Sequence, residues 1–198
     1  MAKPTKTREE ARWLELAQSG DDEAFGRLVE AFQGPVYNLC LRMLGEQDEA
    51  EDAAQETFWK AYRNLGRYDP QRKFINWLLA IASNHCVDRL RKRGLKLVSL
   101  QAMPWLETAV EQELGPEGAM AQAEEDHKVR QLLAELGGVD RAAIVLRYWY
   151  DLSYSEIGDA LSLTESAVKS RLHRARTSLA EGWLAAQPTT SGLERKAG

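Results

Sequence analysis

The sequence predicts an all-α protein made of two small helical domains joined by a flexible linker. Apolar residues recur with the spacing i, i+3, i+4, i+7 in almost every readable segment, which indicates helices with one buried face. No segment alternates apolar and polar residues with the period of a strand. A Pro-, Gly- and Glu-containing stretch interrupts the helical pattern near the middle. We therefore expect a helical domain at residues 8–93, a linker at 94–122, a second helical domain at 123–184 and a disordered tail at 185–198.

The first domain opens with two apolar stripes. One covers residues 25–32, and the other covers residues 36–44 and ends at Gly45. Gly34 and Pro35 stand between the stripes, and proline removes a helical hydrogen bond. The chain is therefore expected to break there or to start a new helix.

Two further helices complete the first domain. Asp48 and Glu51 resemble a capping box, after which one side of a helix is apolar as far as Leu65. Residues 66–72 contain an Asp-Pro pair and indicate a loop. A long helix is predicted from Phe74 onward, with an apolar side and a basic C-terminal end.

The second domain carries the pattern of a helix-turn-helix. An apolar stripe at residues 129–136 opens it, and two short helices follow around a turn at Ser162 and Leu163. Residues able to cap helices stand at each expected start: Asp140, Ser153 with Glu156, and Thr164.

The last helix has opposite apolar and polar faces. At about 100° per residue, the apolar side chains share a narrow arc: Val168, Leu172, Ala175 and Leu179. Short polar and basic side chains lie elsewhere around the helix: Ser166, Lys169, Ser170, His173, Arg174 and Thr177. A helix that enters the DNA major groove needs such a face. The alternative is an amphipathic helix with a solvated basic face, but the caps, the tight turn and the lack of acids just after Glu165 favour DNA binding.

Charge is unevenly distributed along the chain. The total is acidic, with Lys+Arg 26 against Asp+Glu 30 and a net charge of -4. Two basic patches nevertheless occur, at residues 89–96 and at residues 169–176, while residues 46–56 are strongly acidic. This distribution predicts two kinds of partner, one of them nucleic acid.

Several classes of function are disfavoured. No apolar run is long enough to cross a bilayer and residues 1–13 lack a signal peptide's apolar core, so a cytoplasmic protein without membrane insertion is expected. Cys40 and Cys86 sit among apolar neighbours and are predicted to be buried free thiols. A metal site at His85 and Cys86 would need two adjacent helical side chains to converge, so no metal is expected. No catalytic constellation or phosphate-binding loop is present, so neither a cofactor nor enzyme activity is expected.

Several long motifs resemble the extracytoplasmic-function (ECF) group of bacterial sigma factors. DAAQETFWKAYRNL at residues 52–65 and FINWLLAIASN at residues 74–84, followed by DRLRKR, resemble sigma region 2. LSYSEIGDAL at residues 152–161 and VKSRLHRAR at residues 168–176 resemble sigma region 4. The resemblance covers about residues 20–183. It implies a stress-responsive alternative specificity factor that binds core RNA polymerase and promoter DNA. It further implies an anti-sigma factor, which could hold the protein at the membrane.

The resemblance also implies roles for residues of the first domain. Asp52, Gln55 and Glu56 would dock on the polymerase clamp, and the alternative is that they are helix N-terminal acids favoured by the macrodipole. Tyr68 and Asn84 would form the pocket for an unstacked base of the −10 element. The remaining −10 surface would comprise Lys73, Arg89, Arg91 and Arg93, together with Trp77, which is either a strand-separating or a core residue.

In the second domain the resemblance assigns Lys169, Ser170, His173 and Arg174 to the −35 element, with backbone contacts from Arg147 and Tyr154. The predicted −35 surface is completed by Ser166, Arg171 and Arg176. Two departures are visible. Lys169 stands where the family often has Arg, which reads guanine bidentately, and Ser166-Ala167 replaces a common Gly-Thr. The recognised −35 sequence is therefore left open.

Two other functions would fit parts of the chain. A stand-alone helix-turn-helix regulator would bind duplex DNA tightly without polymerase. A helical protein that sequesters a partner would bind no DNA, and its basic patches would only aid solubility. The motifs at residues 52–65 and 74–84 distinguish the sigma prediction from both.

Overall fold

The computed structural model describes residues 8–100 and 120–185, with side chains described for residues 8–94 and 128–185. All regular elements in this part of the chain are helical, which confirms the predicted all-α class. The helices are α1 (Arg8–Gln18), α2 (Asp22–Leu44), α3 (Gln47–Asn64), α4 (Phe74–Leu100), α5 (Met120–Glu135), α6 (Gly138–Tyr148), α7 (Tyr154–Leu161) and α8 (Glu165–Ala185), with one 3-10 turn at Leu65–Arg67.

The first domain is built on α2, α3 and α4, with α1 packed against α2. Leu28, Leu39, Leu78 and Phe74 lose all contact with solvent in its core. Full burial of such side chains stabilises the fold by roughly 1.5–3 kcal/mol each. The predicted buried thiols Cys40 and Cys86 are confirmed as free and buried. Burial also fixes which faces of α3 and α4 remain for partners.

Helix α2 corrects the expectation of a break at Gly34 and Pro35. It runs without interruption from Asp22 to Leu44, with Pro35 inside it. Proline costs one backbone hydrogen bond, but Phe32 and Val36 on either side are both buried. Packing of the continuous apolar face therefore outweighs the local preference of the Gly-Pro pair.

The start of α3 also differs from its prediction. Its N-cap is Glu46, without a side-chain capping bond, so Asp48 lies in the first turn and does not cap. The preceding helix ends as expected, because Gly45 adopts the left-handed conformation with φ 87° and its N–H bonds to the Leu41 carbonyl. At the other end of the domain, α4 continues past the expected boundary at residue 93 to Leu100.

The second domain contains the predicted helix-turn-helix, formed by α7 and α8. Ser153 and Glu156 make a reciprocal capping box at the start of α7, as predicted. The Thr164 hydroxyl accepts a bond of 3.2 Å from the Ala167 N–H and caps α8, also as predicted. Asp140, in contrast, does not cap α6, whose N-cap is Gly137. Asp140 lies in the first turn, and its carboxylate pairs with Arg171 instead.

The turn between α7 and α8 depends on one glycine. Ser162 takes the left-handed conformation with φ 56°, and the Leu163 N–H donates to the Gly158 carbonyl at 2.8 Å. A Cβ atom on Gly158 would lie 2.6 Å from the Leu163 carbonyl oxygen. Only glycine lets the backbone fold back this closely, and this turn sets the position of α8 relative to α7.

Candidate polymerase and nucleic-acid interfaces

The acidic residues of α3 predicted to meet polymerase lie on an accessible part of the helix. Asp52 and Gln55 are exposed and Glu56 is half-buried. The Asp52 carboxylate lies 3.5 Å from Arg89 Nη2 on α4, and Glu56 Oε1 lies 3.7 Å from Lys60 Nζ. Because α3 begins at Gln47, these three residues stand beyond its first turn, where the macrodipole effect fades. The macrodipole alternative therefore explains Asp48 and Glu49 better than Asp52, Gln55 and Glu56.

An exposed aromatic residue adjoins this acidic surface. Trp59 follows Gln55 by one helical turn and is 55% exposed. The Arg63 guanidinium lies 6.0 Å from the Trp59 ring centroid, and Tyr62 stacks beside the same ring at 6.5 Å. Exposed tryptophan is unusual on a free surface and common at the centre of protein interfaces. Sequence periodicity pointed to Phe58 and Tyr62 on the apolar side and did not single out Trp59, although its polar neighbours marked it as outward-facing.

The basic end of α4 is partly used inside the domain. Arg89 Nη1 donates to the Glu49 carbonyl at 3.0 Å, and Arg93 forms an ion pair with the Glu49 carboxylate. Arg91 is mostly exposed and pairs with its neighbour Asp88 at 2.9 Å. Arg91 is thus more accessible than Arg89 and Arg93, which also tie α4 to α3 and α2.

Tyr68 and Trp77 belong to one aromatic cluster with Phe74. The Tyr68 ring centroid lies 5.2 Å from that of Phe74 and 5.3 Å from that of Trp77. Tyr68 is only 4% exposed, and its hydroxyl donates to the Arg72 carbonyl. This burial raises the pKa of Tyr68 to about 12, with further contributions from Glu10 and Asp69. Lys73, at the start of α4, is exposed beside the half-buried Trp77.

The sequence resemblance implies that Tyr68 and Asn84 line one pocket, but the structure does not bring the two side chains together. The Asn84 side-chain amide donates to the Ala80 carbonyl in its own helix and to the Ala160 carbonyl on α7, at 2.9 and 2.8 Å. Tyr68 points into the aromatic cluster instead. A base pocket lined by both residues would therefore require the Tyr68 ring to leave its packing.

The predicted DNA-reading face of α8 is open to solvent. Val168, Leu172 and Ala175 are buried against the rest of the domain. The polar residues assigned to the opposite surface are exposed: Ser166, Lys169, Ser170, His173, Arg174 and Arg176. Thr164 and the Gly158 turn fix the start of this helix, so its polar residues are presented from a rigid support.

Tyr154 lies between two cations at the start of α7. The Arg147 guanidinium carbon is 5.4 Å from the ring centroid, and Lys169 Nζ on α8 is 5.7 Å from it. Arg147 also donates to the Leu152 carbonyl at 2.9 Å. Cation–π contacts of this kind orient both cations. The structure thus brings together three residues predicted for the −35 surface from three different helices.

Arg171 occupies a different environment from its neighbours. Its Nη1 lies 2.7 Å from Asp140 Oδ1, and both side chains are mostly covered. This ion pair joins α8 to α6, so Arg171 faces the domain interior and not the open face. The sequence included Arg171 in the −35 surface with the rest of the basic run at residues 169–176, and its partner Asp140 stands 31 residues earlier in the chain.

Sequence analysis missed a set of residues that connect the two domains. Arg141 is almost fully buried, and its guanidinium donates to backbone carbonyls of both domains. Burial and nearby Arg93 lower its pKa. Asn76 on α4 donates to Glu156 on α7 at 2.8 Å, and the Tyr150 hydroxyl donates to the Pro35 carbonyl at 2.6 Å. The available signal in the sequence was a charged residue, Arg141, directly before the apolar run at residues 142–146.

The part of the chain that the structure describes offers neither a metal site nor a membrane-spanning helix. No cluster of three or more His, Cys, Asp or Glu side chains there is arranged to hold a metal ion. No helix in the same part of the chain has the length and apolar character that a membrane crossing requires.

Comparison with known proteins agrees with this architecture. Residues 28–95 match the Sigma-70 region 2 family, and residues 126–179 match the Sigma-70, region 4 family. The chain is 36% identical over 172 residues to the ECF RNA polymerase sigma factor SigW of Bacillus subtilis, with 84% of this chain and 92% of that protein covered. It is 34% identical over 172 residues to the RNA polymerase sigma-H factor of Pseudomonas aeruginosa, with 84% and 89% covered.

A solved structure gives the same result for the fold. The chain resembles CnrH, a sigma factor of Cupriavidus metallidurans whose structure was solved with the cytosolic domain of CnrY. The TM-score is 0.63 at 26% identity, with 90% of this chain and 99% of that chain covered. Neither a stand-alone regulator nor a sequestering protein accounts for both family matches in one chain. The chain belongs to the ECF group of bacterial RNA polymerase sigma factors, alternative specificity factors that bind core polymerase and promoter DNA and direct transcription initiation.

Proposed function

We propose that this sigma factor divides its work between three surfaces. The α3 surface of Asp52, Gln55 and Glu56 binds core polymerase, the α4 region binds the opened −10 element, and α8 reads the −35 element as duplex. The observation that carries this proposal is the exposed polar face of α8, held on a capped helix-turn-helix in the same chain as the exposed acidic face of α3. An acidic helix face needs a basic or polar protein partner, because phosphates would repel it.

The α3 surface supports a protein partner in a second way. Trp59 adds a large apolar surface next to Gln55, and Arg63 covers part of it. Interfaces commonly combine a buried aromatic anchor with a charged rim. We include Trp59 in the polymerase surface, with Asp52 and Gln55 at its edge.

The DNA surfaces follow from accessibility. Lys169, Ser170, His173 and Arg174 read bases or phosphates of the −35 element, while Ser166 and Arg176 extend the surface along α8. Arg147 and Tyr154 support it at the start of α7, and Arg171 supports it through Asp140. On the first domain, Lys73 and Arg91 hold phosphates, and Arg89 and Arg93 position α4. Trp77 packs against Tyr68 behind the opened strand.

Three further points complete the proposal. The protein acts by binding alone, without catalysis, and works in the cytoplasm. It is controlled by an anti-sigma factor, because CnrH is a relative whose structure was determined with a bound partner, CnrY. The polymerase-binding and −10-binding domain comprises residues 8–93, and the −35-binding domain comprises residues 123–184. Helix α4 extends from the first domain toward the linker.

The test of the polymerase surface is direct binding to core RNA polymerase. Fluorescence anisotropy of the labelled protein would give Kd for the wild type, for Gln55→Ala with Trp59→Ala, and for the control Glu23→Ala. Glu23 is an exposed acid on α2 that pairs with Arg27. We expect the double variant to weaken binding by at least tenfold, as loss of a buried aromatic anchor does, and the control to match the wild type. Equal Kd values for all three proteins would exclude this surface.

A further inference from the structure

The ring of Tyr154, the first residue of α7, connects the support of the helix-turn-helix to the open face of α8. Lys169 Nζ lies 5.7 Å from the ring centroid, and the guanidinium carbon of Arg147 on α6 lies 5.4 Å from it. Tyr154 is half-buried, whereas Lys169 is exposed. A residue of the open face is therefore in contact with an aromatic side chain that belongs to a different helix.

The position of the Tyr154 ring is fixed by the residues around it. Ser153 and Glu156 form the reciprocal capping box that sets the backbone where α7 begins. Arg147, the second cation at the ring, is itself anchored, because it donates to the Leu152 carbonyl at 2.9 Å. A lysine side chain, in contrast, is a flexible four-carbon stem. The ring is thus the fixed partner in the contact with α8, and the ammonium group is the mobile one.

The chemistry of Lys169 limits what it can recognise. It is the fifth residue of α8, in the N-terminal part of the helix, which in a helix-turn-helix faces the base edges. An ammonium group only donates, so it requires an acceptor and cannot recognise the amino group of cytosine. Guanine presents two acceptors in the major groove, N7 and O6. A lysine without restraint also reaches phosphates and neighbouring bases, so its selectivity depends on where its stem is held.

We propose that the aromatic face of Tyr154 is a specificity determinant of the −35 site, which positions Lys169 Nζ for one acceptor-bearing base without touching that base. The inference rests on the proposed −35 role of Lys169. An arginine would obtain its direction from its own planar fork, whereas a lysine has a single ammonium group and takes its direction from the ring. A cation–π contact at an exposed site changes an equilibrium by roughly two- to fivefold. Tyr154 is therefore a positioning residue, and this effect does not need its hydroxyl.

Four variants separate the ring face from the hydroxyl and from the lysine. Tyr154→Phe keeps the aromatic face and removes the hydroxyl, while Tyr154→Leu removes both. Lys169→Ala shows which base preference depends on the ammonium group. Tyr148→Leu is the matched control, because Tyr148 is another exposed tyrosine of the same domain, at the end of α6.

The measurement is selection of DNA by the holoenzyme formed from core polymerase and each full-length variant. The DNA is the region upstream of the coding sequence, randomised across its −35 element, and sequencing of the bound fraction gives the base preference at each position. We expect Lys169→Ala to abolish the preference for an acceptor-bearing base, guanine first, at one position. Tyr154→Leu should reduce the same preference by roughly two- to fivefold. Tyr154→Phe and Tyr148→Leu should keep it.

Base preference at one position distinguishes positioning from a general loss of folding. A destabilised domain would bind all members of the DNA pool less well and would leave the ratio between bases unchanged. The inference is overturned if Lys169→Ala abolishes the preference and Tyr154→Leu leaves it intact. It is equally overturned if Tyr154→Phe loses as much preference as Tyr154→Leu, since the hydroxyl would then be the active group. If Lys169→Ala alters no base preference, the proposed −35 role of Lys169 is wrong, and the inference is refuted with it.

Discussion

The side-chain amide of Asn84 on α4 donates a 2.8 Å hydrogen bond to the backbone carbonyl oxygen of Ala160 on α7. The donor belongs to the region 2 domain, and the acceptor belongs to the helix-turn-helix. The amide nitrogen also donates to the Ala80 carbonyl, so both of its N–H groups are used and neither can donate to a DNA base while these bonds persist. In the proposed function, capture of the −10 strand and packing of α7 on α4 therefore draw on the same side chain.

This competition separates Asn84 from its neighbour Asn76. Asn84→Ala should weaken binding of the holoenzyme to a forked −10 DNA by roughly tenfold, because one hydrogen bond to a base is lost. Asn76→Ala removes only the bond to Glu156 and should bind the fork at least as well as the wild type. Equilibrium binding to fluorescent fork DNA measures both. Equal losses in the two variants would contradict the assignment of Asn84 to the strand.

The turn of the helix-turn-helix should be intolerant of any side chain at Gly158. In Gly158→Ala the new Cβ would meet the Leu163 carbonyl oxygen at 2.6 Å, and such overpacking costs about 1–3 kcal/mol. Gly26→Ala is the control, since Gly26 lies inside α2 with nothing within 4 Å of a new Cβ. That control should stabilise α2 by about 0.5–1 kcal/mol. Thermal unfolding followed by circular dichroism should shift in opposite directions for the two variants, and a shared direction would refute the explanation.

Arg171 and Arg174 should have separable effects despite their proximity. Arg171→Ala should lower unfolding free energy by about 1 kcal/mol through loss of the pair with Asp140, and Asp140→Ala should add little to it. Arg174 is exposed, so Arg174→Ala should leave stability unchanged. It should weaken −35 duplex binding and reduce the slope of log K against log salt by about 1. A double-mutant cycle tests the predicted stability effect of Arg171→Ala, and a salt titration tests the predicted DNA-binding effect of Arg174→Ala. A stability loss in Arg174→Ala together with a DNA-binding loss in Arg171→Ala would contradict these assignments.

His85 should make the first domain sensitive to mild acid. Burial lowers its pKa, as do the nearby charges of Lys60 and Arg89. Lys60 Nζ lies 2.7 Å from Nδ1, and since an ammonium only donates, this nitrogen must be unprotonated. The folded protein therefore holds His85 neutral, whereas the unfolded chain protonates it near pH 6.5.

The direction in which stability changes with pH follows from the linkage between folding and proton binding at His85. A folded pKa below the unfolded one gives stability that is complete above about pH 6.5 and is lost as pH falls through the folded pKa. Urea unfolding between pH 7.5 and 5 should show this loss in the wild type, and His85→Gln should show a flatter profile. A wild-type stability that rises on acidification over this interval would contradict the neutral form.

The sequence predicted the helical class, the two helical units and the caps of α7 and α8, because these follow from local periodicity and short-range hydrogen bonds. It was wrong at Gly34 and Pro35, where burial of Phe32 and Val36 overrides local preference. It was also wrong about the Asp48 and Asp140 caps. An acidic residue near a helix start serves equally as a cap, a first-turn acid or an ion-pair partner, and only packing decides.

In the binding surfaces, too, features set by local sequence were predictable and features set by packing were not. The open face of α8 was predictable because a helical wheel needs only the positions of Val168 and Leu172. The ion pairs of Arg171, Arg89 and Arg93 could not be predicted, because their partners are remote in sequence or lie across a helix interface. The contact of Asn76 with Glu156 joins residues of different domains, and nothing in the local sequence around either residue indicates it.

Run-off transcription with purified core RNA polymerase tests the central claim most directly. The template would be the DNA upstream of the coding sequence, because a sigma factor can be tested first on its own promoter region. We predict a transcript with one defined start that requires both the protein and core polymerase, and that is lost in Lys169→Ala with Arg174→Ala. Core polymerase that neither binds the protein nor initiates with it, while the protein alone shifts duplex DNA, would contradict the account.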